Sequence, residues 1–235
     1  MGTLSKQDVF WIRRRIPDSL WTEMMHWRTR VIVAGGFIRS CITGEQVNDI
    51  DVFTDDKEHA RLMALELNTR IGKKMIETEN AFTVIGEYVP VQFIHRWTFK
   101  EPSEVVASFD FTIASAAVWI SSEYDAQRHP ILESICDDSF YQDLAAKRLI
   151  YRSPVRNEDA GGSLLRLLKF YQRGYRSPLE STAAVMARMA AAIDNGRLAG
   201  LMAGENLTSE QAIAKVFTGM LREVDPQIDP HHFTH

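Results

Sequence analysis

Hydrophobic and polar residues follow two different periods along this chain, and the change divides it into two halves. Up to about residue 120, short apolar runs with period-two spacing between turn residues predict strands among helices. From about residue 121 onward the pattern is helical. Helices are expected over 137–147, 162–174, 179–194 and 208–223. The pattern therefore predicts an α+β protein, with a small mixed or antiparallel sheet flanked by helices and followed by an all-helical C-terminal half.

The first segment with helical character spans residues 8–28 and is interrupted at Pro17, with Ser19 as a candidate cap for its second piece. Its aromatic residues are expected to pack on the sheet. The run Arg13–Arg15 beside Trp11 allows two interpretations, a polar helix face or a contact with nucleic acid. Both interpretations stay open at the level of the sequence.

Further elements follow the second strand of the first half. Asp55 and Asp56 are predicted to cap a helix over 57–72, and Pro102 is predicted to begin a short helix. Strands are expected over 74–78, 81–85, 88–94 and 109–120. These strands would extend the sheet.

The chemistry begins at a diglycine turn. Gly35 and Gly36 directly follow the apolar run Val31–Ala34, so the backbone can turn sharply and bring N–H groups close to an anion. Asp49 and Asp51 are two residues apart in a strand-like run, which places both carboxylates on one face of a sheet, where they can hold a hard cation. Taken separately, the two features are also typical of an ordinary turn and a solvated strand edge. Together they predict a site for a metal-bound phosphate.

The motif Gly35-Gly36-x-x-Arg39, followed by Gly44 and then Asp49-x-Asp51, resembles the polymerase β-like nucleotidyltransferase superfamily. Within it, the resemblance is closest to the head and neck of tRNA CCA-adding enzymes and bacterial poly(A) polymerases. It covers roughly residues 25–176. One departure is Ser40, which stands where that family usually carries an acid after the arginine.

The resemblance implies a metal-dependent enzyme that moves NMP from an NTP to an acceptor hydroxyl and releases pyrophosphate, with two Mg²⁺ ions bound by Asp49 and Asp51. Asp110, between Phe109 and Phe111, would be costly to bury without a cation, a backbone amide or a metal as partner. The superfamily carries one more acid on a neighbouring strand. The resemblance thus assigns Asp110 as third catalytic carboxylate and metal ligand, and Gly35, Gly36 and Arg39 as nucleotide-binding residues.

A second stretch resembles the neck of the same enzymes. Arg166, Lys169 and Arg173 form one stripe of a helix that Gly174 is predicted to end, and the resemblance implies that this stripe binds the nucleotide. Gly162-Ser163 stands where the family commonly has Glu-Asp for reading base edges, so selection of CTP and then ATP is not expected. The predicted domains are a catalytic head over 1–125 and a helical neck and C-terminal region over 126–235.

Charge and composition narrow the partners. The net charge is −4, yet residues 147–176 carry eight basic and two acidic side chains, as a polyanion site requires. No apolar run is long enough to cross a bilayer and no signal peptide is recognisable, so we expect a cytoplasmic protein without membrane contact. Cys41 and Cys136 have no zinc-type spacing and are expected to be reduced and not catalytic. The sequence leaves the oligomeric state open.

Three functions remain at this stage. The first is NMP transfer to an RNA 3′ end resembling that of tRNA, which the basic segment favours. The second keeps the chemistry but uses a hydroxyl of a protein or small molecule, as in toxin-like and antibiotic-modifying members of the superfamily. The third is a nucleotide-binding protein without turnover, against which the intact set of three acids argues.

Overall fold

The computed structural model describes residues 1–28, 31–71, 74–85, 89–152 and 160–224, with no side-chain description for residue 197 or for 222–224. The described chain forms two compact units, Met1–Leu144 and a second that begins at Ala145. A mixed sheet with helices is followed by a helical part, which confirms the predicted α+β class.

The first unit contains most of the predicted elements. In chain order they are α1 Lys6–Arg15, α2 Asp18–Trp27, β1 Ile32–Ala34, α3 Gly36–Thr43, β2 Ile50–Phe53, α4 Lys57–Ile71, β3 Met75–Glu77, β4 Ala81–Val84, β5 Val91–Ile94, α5 Pro102–Ser108, a 3-10 turn Thr112–Ala114, β6 Ala116–Tyr124, β7 Pro130–Cys136 and α6 Phe140–Ala145. The last residue of α6 is the first of the second unit.

In the part of the chain that the structure describes, seven strands form one sheet in the order β3-β4-β5-β2-β1-β6-β7. Strands β2 and β5 pair in parallel, and the other neighbours are antiparallel. The two motif-bearing strands β1 and β2 are adjacent in the interior of the sheet. Because β1 and β2 are antiparallel, the turn that follows β1 lies beside the start of β2.

Alternation along β1 and β2 sends side chains to two faces of the sheet. On one face Ile32, Ala34 and Phe53 pack with Val105 and Val106 of α5, so this helix covers part of that face. Ile50 and Val52 alternate with that set and are fully buried, so the opposite face is covered too. Asp51 shares the α5 face, because it pairs with Ala34 across the β1–β2 ladder.

Two sequence-based element predictions are wrong. The chain does not become helical at residue 121, because β6 continues to Tyr124. A further strand, β7 Pro130–Cys136, then pairs with β6 at the edge of the sheet. Asp110 does not lie on a strand: the segment predicted as one strand over 109–120 begins with a bend and a 3-10 turn, and β6 starts only at Ala116. The predicted head boundary at 125 and 126 stays a prediction.

The predicted N-terminal helix exists as two helices, broken at Pro17 as expected. Pro17 itself, not Ser19, is the N-cap of α2. Asp56 caps α4 as predicted, with Oδ1 accepting a hydrogen bond from the His59 amide at 2.7 Å. Residues 72 and 88, which ended the predicted helix and began the predicted strand, lie outside the described residues.

The expectation that the aromatic stripe of the N-terminal helix packs on the sheet is wrong for its first two members. Phe10 is 51% exposed and Trp11 is 48% exposed. Ile12 fills the inward position of α1 instead and is fully buried.

An ion pair between the half-exposed Arg70 and the buried Glu23 joins α4 to α2. Glu23 is 1% exposed, and Arg70 donates to its Oε1 from Nε at 2.9 Å and from a terminal nitrogen at 2.8 Å. Burial raises the pKa of Glu23 above its ordinary value, an effect that Glu66 reinforces and Arg70 opposes. The folded state consequently binds the Glu23 proton more tightly than the unfolded state does.

We expect Glu23→Gln to flatten part of the pH dependence of stability. The stabilising effect of the raised pKa is fully present below the unfolded-state value and is lost as pH rises through the folded-state value. Wild type should therefore lose free energy of unfolding relative to Glu23→Gln as pH rises through this range. Urea titrations of both proteins at stepwise pH measure the two free energies of unfolding. If wild type gained stability relative to Glu23→Gln as pH rises, the assignment would be contradicted.

The second unit holds α7 Ala160–Gln172, α8 Leu179–Ala191, α9 Asn195–Glu205 and α10 Ser209–Val224. Helix α9 was not predicted. Gly174 has φ of 86°, and the Tyr175 amide donates to the Phe170 carbonyl at 3.0 Å, which confirms the predicted end of α7. A Cβ at Gly161 would lie 2.8 Å from the Met220 carbonyl oxygen, so this glycine permits close packing of α7 and α10.

Within the residues described, no helix combines the length and apolar character that crossing a bilayer requires.

Candidate functional site

The diglycine turn connects β1 to α3 in a conformation that requires glycine. Gly35 has φ of 80° and ψ of −137°, a combination that L side chains rarely adopt. A Cβ built there would lie 3.1 Å from the Phe109 ring. The Gly35 amide donates to the Ala116 carbonyl at 3.0 Å, so this N–H is engaged by β6.

Asp51 lies directly beside this turn. It pairs with Ala34 of β1 on one side and with Gln92 of β5 on the other. Its Oδ2 is 3.9 Å from the position that a Cβ at Gly35 would occupy. The strand alternation predicted from the sequence thus places one carboxylate against the start of α3.

Asp49 immediately precedes β2 and is half-buried, as is Asp51. The Gln92 Nε2 amide donates to Asp49 Oδ2 at 3.4 Å, so the strand next to β2 helps to orient this carboxylate. Gln92 was missed from sequence. The available signal was a polar residue between Val91 and Phe93 in an otherwise apolar strand.

Arg39 lies on α3 and is 6% exposed. Its guanidinium lies 3.6 Å from the Cβ position at Gly36, and its Nε forms an ion pair with Glu45 Oε2 at 3.4 Å. An arginine one turn into a helix reaches back toward the helix N-terminus because side chains tilt that way. Arg39 and Gly36 are therefore adjacent, as the motif requires.

Asp110 directly follows Phe109, whose ring lies against the glycine turn. The Phe109 ring contacts Gly35 and meets Phe53 edge-on at a centroid distance of 6.0 Å. Asp110 itself is 5% exposed. The 3-10 turn after it is tied to α6, since Thr112 Oγ1 donates to the buried Asp143 carboxylate at 2.6 Å.

The described residues offer a metal ion a small set of carboxylates. Over residues 1–28, 31–71, 74–85, 89–152 and 160–224, no three His, Cys, Asp or Glu side chains are grouped as a metal site. Magnesium, however, is commonly held by one or two carboxylates together with substrate phosphates and water. Asp49 and Asp51 fit that smaller requirement. The assignment of Asp110 as third ligand stays a prediction.

The predicted basic stripe belongs to the second unit. Arg166 is half-buried and Lys169 is exposed on α7, whereas the half-buried Arg173 follows the last residue of that helix. The Arg173 guanidinium lies 5.7 Å from the centre of the Phe170 ring. Leu168 of the same helix is 51% exposed. The predicted contact of this stripe with a nucleotide stays a prediction, and residues 153–159 of the basic segment lie outside the described residues.

Cysteine chemistry is disfavoured near the turn. Cys41 of α3 is buried, and burial raises its pKa to about 11, as burial does for Cys136. Both thiols are therefore protonated near neutral pH. Neither offers a thiolate nucleophile.

Solved structures similar to this chain are CCA-adding enzymes. A Thermotoga maritima CCA-adding enzyme complexed with tRNA matches with a TM-score of 0.55 and 15% identity over 97% of this chain and 57% of its own. A CCA-adding enzyme in complex with CTP matches with a TM-score of 0.56 and 15% identity, over 97% of this chain and 58% of its own. The chain thus has a nucleotidyltransferase fold and spans less than two thirds of these proteins.

Sequence comparison points to a more specific group. A curated protein of Bacillus phage SPbetaL7, described as Gabija anti-defense 2, is 28% identical over 97 residues, which are 41% of this chain and 24% of that protein. The chain therefore spans about a quarter of the relative it matches. The family model described as "Gad2: Gabija anti-defense 2 family protein" matches residues 4–147. Because that match covers more than half of the sequence, including the glycine turn and all three predicted acids, the chain belongs to the Gabija anti-defense 2 family.

Proposed function

We propose that the protein is a metal-dependent nucleotidyltransferase that moves NMP from an NTP to a hydroxyl at an RNA 3′ end. The observation that carries the proposal is the position of Asp51 beside the Gly35 turn, with Asp49 two residues before it and Arg39 next to Gly36. A carboxylate pair next to a helix N-terminus suits a substrate that is both metal-bound and anionic. The nucleotidyltransferase fold supports the same chemistry.

The residues have separate tasks in this proposal. The first turn of α3, together with Arg39, would bind the phosphates of the NTP, because a helix N-terminus carries partial positive charge. The Gly35 amide already donates to the Ala116 carbonyl, so the phosphates would bind to Gly36 and the residues after it. Gly35 would provide the backbone turn. Gln92 would keep Asp49 oriented.

Asp49 and Asp51 would hold Mg²⁺. The ions supply electrostatic stabilisation of the charge that develops on the attacking and leaving oxygens. Two carboxylates this close in sequence and on one face repel each other when no cation is present. The protein should therefore be stabilised by Mg²⁺ together with NTP.

The choice of RNA rests on two supports. The basic segment over 147–176 provides local positive charge in a protein with a net charge of −4. The similar T. maritima enzyme is described in complex with tRNA. The family is described as Gabija anti-defense, and we propose that nucleotidyl transfer is the activity responsible for that anti-defense function.

A second candidate is nucleotide binding without turnover. It requires only the anion-binding part of the site, which is the start of α3 with Arg39 beside Gly36. This candidate predicts that NTP binds without pyrophosphate release. An assay with α-labelled NTP separates this candidate from catalysis.

The test is incubation of the protein with each α-labelled NTP, Mg²⁺ and total RNA, beside an Asp49→Ala/Asp51→Ala variant. We expect Mg²⁺-dependent label in RNA that the variant does not produce. Label in protein would identify a protein acceptor and overturn the choice of RNA. No metal-dependent label in any fraction, with NTP still bound, would establish the binding-only candidate.

A further inference from the structure

Helix α1 exposes an aromatic and basic surface, here called the α1 surface and made of Lys6, Phe10, Trp11, Arg14 and Arg15. Successive helix positions separated by three or four residues share a face, and these five residues cover the outward half of the helix. Ile12 on the opposite side is fully buried. The helix is thus fixed by its inner side, and its outer side is open.

The two rings of the α1 surface form a platform with a cation beside it. Phe10 and Trp11 are each about half exposed and meet edge-on at a centroid distance of 5.5 Å. The Arg14 guanidinium lies 5.7 Å from the centre of the Phe10 ring. Large exposed aromatic residues next to arginine are the arrangement on which unpaired bases stack.

The acidic side chains near this surface are engaged elsewhere. Asp8 Oδ2 accepts hydrogen bonds from the Tyr141 and Ser5 hydroxyls, both at 2.6 Å. Asp18 forms an ion pair with Arg13 at 3.6 Å, and Arg13 also stacks over Trp21. With four basic residues and one acid between Lys6 and Arg15, the helix carries net positive charge in an acidic protein.

A cavity of about 590 Å³ adjoins the C-terminal end of the α1 surface. Arg14 and Arg15 line one side, and the segment 44–47 lines another. This segment leads from α3 to Asp49, so the cavity lies along the chain that connects the glycine turn to the carboxylates. Arg15 is held there by a hydrogen bond to the Ser40 carbonyl at 3.1 Å.

We propose that the α1 surface binds single-stranded RNA, with bases stacked on Phe10 and Trp11 and phosphates near Lys6, Arg14 and Arg15. The choice of RNA rests on the proposed function, whose acceptor this surface would hold. Stacking requires unpaired bases, which is why the partner is a single strand and not a duplex. The charge complementarity distinguishes this surface from an apolar docking face for a protein.

The test measures binding of a fluorescein-labelled RNA of about 12 nucleotides, a length within the usual site sizes, by fluorescence anisotropy. EDTA is present and NTP is absent, so turnover cannot affect the result. We expect Phe10→Ala/Trp11→Ala to weaken binding by about 30-fold, because loss of each stacked base weakens binding by roughly fivefold or more. Arg14→Gln should reduce the slope of log K against log salt by about 0.7.

Tyr124→Ala is the matched control. Tyr124 is also a strongly exposed aromatic residue, with the Arg28 guanidinium 4.2 Å from its ring centre, but it lies on β6. Its substitution should leave RNA affinity unchanged. The inference would be overturned if the double variant bound RNA as tightly as wild type, or if Tyr124→Ala lost as much affinity as the double variant. It would also be overturned if duplex RNA bound as tightly as single-stranded RNA, or if the protein bound single-stranded DNA but not RNA.

The inference and the proposed function fail separately. Binding of RNA through the α1 surface without any label transfer would leave the inference standing and overturn the enzymatic proposal. Label transfer to RNA with unchanged affinity of the double variant would do the opposite. Circular dichroism of the double variant should match wild type, because both rings are exposed.

Discussion

Asp51→Asn is expected to lower the rate of nucleotidyl transfer about 10³-fold. Asparagine preserves the size of the side chain but removes the charge that would bind Mg²⁺ beside the Gly35 turn. A catalytic metal contributes several kcal/mol of transition-state stabilisation, and each 1.36 kcal/mol corresponds to a factor of ten in rate. Single-turnover incorporation of α-labelled NMP at saturating NTP measures the effect.

The same substitution separates a catalytic role from a structural one. Without metal, removal of one of two repelling carboxylates should not lower the free energy of unfolding. In wild type, Mg²⁺ with NTP should raise the melting temperature, and this increase should disappear in Asp51→Asn. A loss of activity accompanied by a lower melting temperature in EDTA would indicate misfolding and contradict the assignment.

Asp138→Asn is the matched control for the chemical change. This carboxylate is largely exposed and forms an ion pair with the N-terminal amine, so its loss should leave the rate unchanged. Asp110→Asn tests the third carboxylate in the same assay. A decrease comparable to that of Asp51→Asn would support Asp110 as a ligand, whereas an unchanged rate would restrict the site to Asp49 and Asp51.

The interior of the sheet could be predicted from the sequence because its signal is local. In β2 the buried residues Ile50 and Val52 alternate with Asp51, so periodicity alone gives both the strand and the face of the carboxylate. The glycine turn is equally local, since only glycine tolerates its backbone angles. These two elements already contain most of the candidate site.

The edges of the fold could not be predicted in that way. Strand β7 is half-buried along most of its length, so its residues show no clear period and pairing with β6 determines its structure. The segment Phe109–Phe111 has the composition of a strand. It forms a bend and a bridge instead, where Thr112 bonds Asp143 thirty-one residues away. Such contacts depend on the tertiary fold.

The sequence of α1 also does not determine which face of the helix is buried, because more than one face carries apolar residues. Phe10 and Trp11 are the obvious core residues of α1 by hydrophobicity, yet Ile12 fills that position. One helix face must be chosen, and the choice depends on what α3 and β7 present to α1. The sequence allowed a nucleic-acid contact beside Trp11, whereas the exposure of both aromatic rings became evident only from the fold.

Gly35→Ala is expected to cost about 3 kcal/mol in free energy of unfolding, and Gly44→Ala about 1 kcal/mol. Both glycines have positive φ, 80° and 73°, so both substitutions strain the backbone. A Cβ at Gly35 would also lie 3.1 Å from the Phe109 ring, whereas nothing lies within 4 Å of one at Gly44. Urea unfolding of both variants measures the difference, which isolates the contact with Phe109 and the more restrictive ψ of Gly35.

A Phe109→Ala background divides that difference further. If the ring contact is responsible, Gly35→Ala should cost less in this background than in wild type, by the part that the ring contributes. Equal costs at Gly35 and Gly44 in wild type would show that neither the Phe109 contact nor the ψ of Gly35 adds to the cost of a positive φ. Because Asp51 Oδ2 lies 3.9 Å from the same Cβ position, a turn that must move also displaces the carboxylate environment. Gly35→Ala should therefore reduce transfer at temperatures well below its melting point, whereas Gly44→Ala should retain it.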